Sequence, residues 1–158
     1  MRSLLGLFLF TVAGLLPTWA AEVEFVRVWP AWRDVGSFER ISEYFTGKEN
    51  SGSEIVVRTQ AEERAGFYYL VRVANKGEVL PGAKFVLRVI LPTSPDPKVT
   101  IFPAEIPRHS KVFQLGLTGA DWPGPEVHPV AWKLELQSAT DQVLATAQSF
   151  LWSKPPGQ

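Results

Sequence analysis

Through most of the chain, apolar and polar positions alternate with a period of two. Phe67, Tyr69, Val71 and Val73 alternate with Tyr68, Leu70, Arg72 and Ala74. Phe85, Leu87, Val89 and Leu91 alternate with Lys84, Val86, Arg88 and Ile90. The cleanest case is Val130, Trp132, Leu134 and Leu136 against Ala131, Lys133, Glu135 and Gln137. This period marks strands with one face turned to a core. Ile55, Val57 and Thr59 predict a further strand over 54–60, and Phe113, Leu115 and Leu117 another over 111–118. Residues 143–152 are expected to return as the hairpin partner of 130–137 across the turn at 138–142. Val99–Phe102 reads as a short strand ended by Pro103, after an irregular loop set by Pro92, Pro95 and Pro97.

The first strand spans 22–29 and alternates imperfectly. Phe25, Arg27 and Trp29 share one face, Val26 and Val28 the other, and Pro30 is expected to stop it. The period changes once. Phe38, Ile41 and Phe45 recur at helical spacing over 37–45, with Asp34 or Ser37 to cap the start and Gly47 to end it. So short a helix must be held by packing, so its aromatic side is expected to lie buried on the sandwich.

About eight short strands with turn signals at sandwich-like spacing predict an all-β fold, a two-sheet antiparallel β-sandwich with one short helix near the N-terminus. A closed barrel is the structural alternative. In general plan the pattern resembles immunoglobulin-like and fibronectin-III-like sandwiches, and the last hairpin looks like the final two strands of such domains. The Cys…Trp…Cys signature of the immunoglobulin family is absent, so the resemblance is to an architecture and implies no function.

Residues 1–20 read differently. Arg2 precedes an apolar run over 4–16, Pro17 follows, and Thr18-Trp19-Ala20 ends in a small residue. This is the pattern of a cleaved secretory signal peptide, with a run too short for a stable anchor. The expected organisation is a signal peptide at 1–20, one sandwich domain at 21–153 and a disordered tail at 154–158. The expected location is the periplasm or the medium. Arg2 is the one charged residue in 1–20, so its loss turns 16 basic and 16 acidic side chains into 15 and 16. A charge near zero implies no nucleic-acid face. No apolar run after the signal is long enough to span a membrane.

The chain has no cysteine. That excludes disulfides, a thiol nucleophile, cysteine-ligated zinc and a lipidated N-terminal cysteine, so packing must hold the domain together. No nucleophile elbow, phosphate loop or dinucleotide fingerprint is present. His109 and His128 each adjoin loops without a ligand motif, and the plain reading is that both are solvated. Glu49, Glu54, Glu62 and Glu63 flank turns and read as solubilising charge. No cofactor or metal is implied.

Aromatic residues carry the remaining functional signal. Trp132 is expected in the core, with Trp29 and Trp152 beside it. Trp32 and Trp122 fall in proline-containing loops, where an exposed indole stacks on a sugar or anchors a partner. The plainer reading makes both rings lids over the ends of the sandwich. The segment 29–45 exceeds what a minimal sandwich needs, and Trp32, Arg33 and Tyr44 are expected to line a groove at a sheet edge. Arg58, Arg72 and Arg88 recur on polar faces, as a stripe or, more plainly, as partners of cross-strand carboxylates.

The expected function is therefore an exported, non-enzymatic binding module for another envelope or extracellular component, a protein or a glycan. Its candidate residues are Trp32, Arg33, Tyr44 and Trp122. The rival reading is carbohydrate binding through the loop tryptophans. A hydrolase, which would need a histidine to converge with a carboxylate, ranks last.

Overall fold

The computed structural model describes residues 22–153; the predicted signal segment and the predicted tail lie outside the described residues. Two four-stranded sheets pack face to face, as the alternation predicts. The first has the order β1 (Val23–Arg33), β3 (Gly66–Asn75), β6 (His109–Thr118), β2 (Ile55–Arg58). The second has the order β5 (Ser94–Ile106), β4 (Leu80–Leu91), β7 (Ala131–Gln137), β8 (Val143–Gln148).

The core lies between the sheets and is built from the apolar parity of the long strands. Phe67, Tyr69, Val71 and Val73 of β3 and Phe113, Leu115 and Leu117 of β6 meet Phe85, Leu87 and Val89 of β4 and Leu134 and Leu136 of β7. Aromatic rings bridge the layers, with Phe85 and Phe113 at 5.0 Å and Tyr69 and Trp132 at 5.5 Å between centroids. Trp132 packs against the core half-buried, whereas Trp29 is 56 % exposed. Trp152, also expected beside the core, is half-buried in the short helix α2 (Phe150–Ser153) that ends the described chain in place of a longer β8.

Three departures from the predicted elements have physical reasons. β1 runs through Pro30, and β5 runs through Pro95, Pro97 and Pro103. Both are edge strands, where a missing N–H need not break a ladder, and proline there also blocks pairing with foreign strands. The pairing of β1 with β3 slips between Phe25 and Arg27. That irregularity shifts the phase, so Phe25 and Val28 pack inward while Arg27 and Trp29 point outward.

The third departure is topological. β2 lies parallel to β6, so the first sheet is mixed and not purely antiparallel. β1 and β2 occupy opposite edges of that sheet and run in the same direction. The connection over 34–54 therefore crosses the outer face of the sheet from one edge to the other, as a parallel return requires. It carries a 3-10 turn (Val35–Phe38) and the short helix α1 (Ile41–Thr46). Together they replace the single helix expected over 37–45.

Candidate functional site

The outer face of the first sheet is laid out in rows by the strand registers. Arg27, Arg72 and Val112 form one row, Trp29, Leu70 and Gln114 the next, and Ala31, Tyr68 and Gly116 the third. The crossover closes the third row and leaves the first two largely open.

The closed half is organised around Phe38, the one buried apolar side chain of the crossover. Its ring packs on Tyr68 at 4.8 Å, and the guanidinium groups of Arg58 and Arg33 lie 4.9 and 5.8 Å from its centroid. Arg58 donates from Nε to Tyr68 Oη at 2.8 Å and from Nη1 to Glu49 at 2.8 Å, with a second bond from Nη2 to the same carboxylate. Tyr68 Oη donates to the Arg64 carbonyl at 2.7 Å, and Arg64 pairs with Glu43 at 2.9 Å. The bonds to Arg58 hold Glu49 below the usual carboxylate range, and burial pushes the Tyr68 phenol up. Gly116 lies under Tyr68, where any Cβ would overlap the ring.

This network turns α1 inside out relative to expectation. The polar side of the helix faces the protein, with Glu43 bound to Arg64 and accepting from the Asn50 N–H at 3.1 Å. Ile41, Tyr44 and Phe45, expected to be buried, are 83, 89 and 79 % exposed. Phe38 alone keeps the predicted role. Glu43 ties the polar side of the helix to Arg64, and Phe38 already fills the sheet face that the apolar side would otherwise cover.

The open half forms a hollow of about 430 Å³ lined by Val26, Arg27, Trp29, Leu70, Arg72, Val112 and Glu54. Arg27 Cζ lies 4.6 Å from the centroid of the Trp29 ring. Arg27 and Arg72 are direct cross-strand neighbours, and among the described residues neither pairs with a carboxylate. The Glu54 carboxylate at the rim accepts a hydrogen bond from Gln114 Nε2.

The second sheet offers a contrast. Its outer face leaves Val99 and Ile101 exposed, but its basic side chains are matched, Lys84 by Asp141 and Arg88 and Lys133 by Glu135. Glu135 bonds Lys133 at 2.7 Å and Arg88 at 2.9 Å, and accepts from Gln137 Nε2 at 3.0 Å. These bonds, Lys133 foremost, pull its carboxyl down to about 2. The three arginines at strand positions thus make no stripe. Arg88 pairs across strands as the plainer reading expects, Arg58 bonds to a crossover carboxylate, and Arg72 stays free on the opposite side of the molecule from Arg88.

The four predicted site residues do not converge. Trp32 turns inward and packs half-buried on the core, while Arg33, its neighbour on the strand, lies on the opposite face against Phe38. Tyr44 stands out on α1, making an edge contact with Phe45. Trp122 is buried, stacked on Phe67 at 4.5 Å with its indole N–H donated to the Gly124 carbonyl at 3.0 Å. It is the apolar plug of the plainer reading and has no free ring face for a sugar. The hollow uses instead Trp29, Arg27, Leu70, Arg72, Val26 and Val112. Its signal in the sequence was the two-sided apolar character of the first strand, which the shift at Phe25–Arg27 disguises.

The histidines are exposed and far apart along β3: His109 pairs with Asn75 at one end, and His128 lies 6.2 Å from Phe67 near the other. Among the described residues no group of acidic and histidine side chains is arranged to hold a metal ion, and no helix is long and apolar enough to cross a membrane. Compared with protein-family models and with curated proteins, the chain matches none.

Proposed function

We propose that this chain is an exported, non-enzymatic binding module that holds another envelope or extracellular protein through the open half of the first sheet's outer face. The observation that carries the reading is the hollow around Trp29. A half-exposed indole, three aliphatic neighbours and two arginines without a salt bridge among the described residues share one sheet face, where a folded domain ordinarily places matched polar side chains. An exposed aromatic beside arginine is the composition of an interface centre. Export enters through the signal-like pattern at 1–20.

Site-directed photocrosslinking tests the surface. A benzoylphenylalanine placed at Val26, on the lip of the hollow, should yield a discrete crosslinked species from native envelope or medium fractions. The same probe at Thr146, exposed on the second sheet, should not. Equal yields from both positions, or a product from Thr146 alone, would overturn the assignment.

A further inference from the structure

Resting on that reading, we infer that the hollow takes an acidic peptide segment, with an apolar side chain seated on Trp29, Leu70 and Val112 and a carboxylate between Arg27 and Arg72. The charge pattern decides the sign of the occupant. Arg27 and Arg72 sit directly opposite each other on neighbouring strands, an arrangement that repels unless an anion lies between them. Elsewhere on the two sheets Arg58 is held by Glu49 and Arg88 by Glu135, and Arg33, which also lacks a carboxylate partner among the described residues, lies against the Phe38 ring under the crossover. The two that line the hollow have no carboxylate partner among the described residues, and a guanidinium fork matches a carboxylate with two parallel hydrogen bonds.

The lining decides the class of occupant. Trp29, Leu70 and Val112 make the floor, with Val26 at the lip, and Glu54 is the one charged side chain besides the arginines. A sugar needs several converging donors and acceptors for its hydroxyls, and the hollow offers only two arginines, Glu54 and the Trp29 indole N–H around an apolar floor. One face of the indole is covered by Arg27, which weakens it as a sugar-stacking platform. Glu54 at the rim repels a dense polyanion such as a polyuronate, while a peptide with one or two carboxylates avoids it. A peptide side chain supplies the apolar body that the floor requires.

The test is selection of phage-displayed random dodecapeptides on the folded protein, followed by titration of a synthetic representative in 50 mM salt. Enriched clones should carry Asp or Glu beside Leu, Val or an aromatic residue. Affinity should fall about tenfold in Arg27→Gln and in Arg72→Gln, and should weaken as salt rises. Both variants alter exposed side chains, and an unchanged urea midpoint shows that the fold persists. Clones without an acidic excess, no enrichment at all, or stronger binding of an oligogalacturonate through the same arginines would each overturn the inference. Binding indifferent to both arginines but lost in Trp29→Ser would remove the acidic occupant and keep the binding face. Binding indifferent to all three variants would remove both.

Discussion

Single side chains on the two outer faces differ in whether their charge is answered. Glu135 is answered three times over, and its folded carboxyl is held near 2 against an ordinary 4.5. A lowered folded value contributes stability that is fully present above the unfolded value and lost as pH falls through the folded one. Glu135→Gln should therefore cost on the order of 1 kcal/mol at neutral pH, with the difference from the parent closing between about pH 4.5 and pH 2 in urea titrations. Tyr69 Oη presents the opposite case, being buried without a hydrogen-bond partner among the described residues. Burial alone pushes its phenol up. Tyr69→Phe should leave stability unchanged or raise it by up to about 1 kcal/mol, because no bond is lost and an unsatisfied hydroxyl is removed. Neither assignment was open to sequence reasoning. Period two shows that Glu135 and Tyr69 lie on opposite faces of their sheets, but not which side chains surround them.

At the scale of elements, the crossover is fastened by Phe38 and by its polar contacts, while the apolar side of α1 is free. Phe38→Ala should cost about 2–4 kcal/mol, since it empties the space between Tyr68 and two guanidinium groups. Replacing Ile41, Tyr44 and Phe45 together by serine should change stability by no more than about 0.5 kcal/mol, as expected for exposed positions. Chemical denaturation of both variants checks the contrast, and a large loss from the triple replacement would mean that α1 packs inward after all. The long inner strands were legible in the sequence because β3, β4, β6 and β7 each turn an apolar face to the core, which is what period two reports, although the outer-face Tyr68, Val86, Gln114 and Glu135 are buried as well. The edge strands were less so. Prolines that would break a central ladder are tolerated in β1 and β5, so both run longer than their composition suggests. The helix misled because helical periodicity reports amphipathicity without saying which side turns to the protein, and here ion pairs settle that.

For the whole molecule, the consequential feature is the return of the chain from β1 to the far edge of the same sheet. That path makes β2 parallel and roofs one half of the outer face. It leaves the other half, with Trp29, Leu70 and the Arg27–Arg72 pair, uncovered. Two sheets and their core could be read from strand count and alternation. The open half could not, because it depends on a register shift in β1 and on where a connection of mixed polarity lies. The predicted groove of Trp32, Arg33 and Tyr44 failed for the same reason: adjacent strand residues point to opposite faces, and α1 holds Tyr44 away from both. The central claim is that this open half is the recognition surface. The most direct measurement compares Trp29→Ser with the parent, reading photocrosslinking yield from position 26 and the urea midpoint on the same preparations. The account predicts a yield reduced about tenfold with the midpoint unchanged. An undiminished yield from a folded Trp29→Ser protein would contradict it.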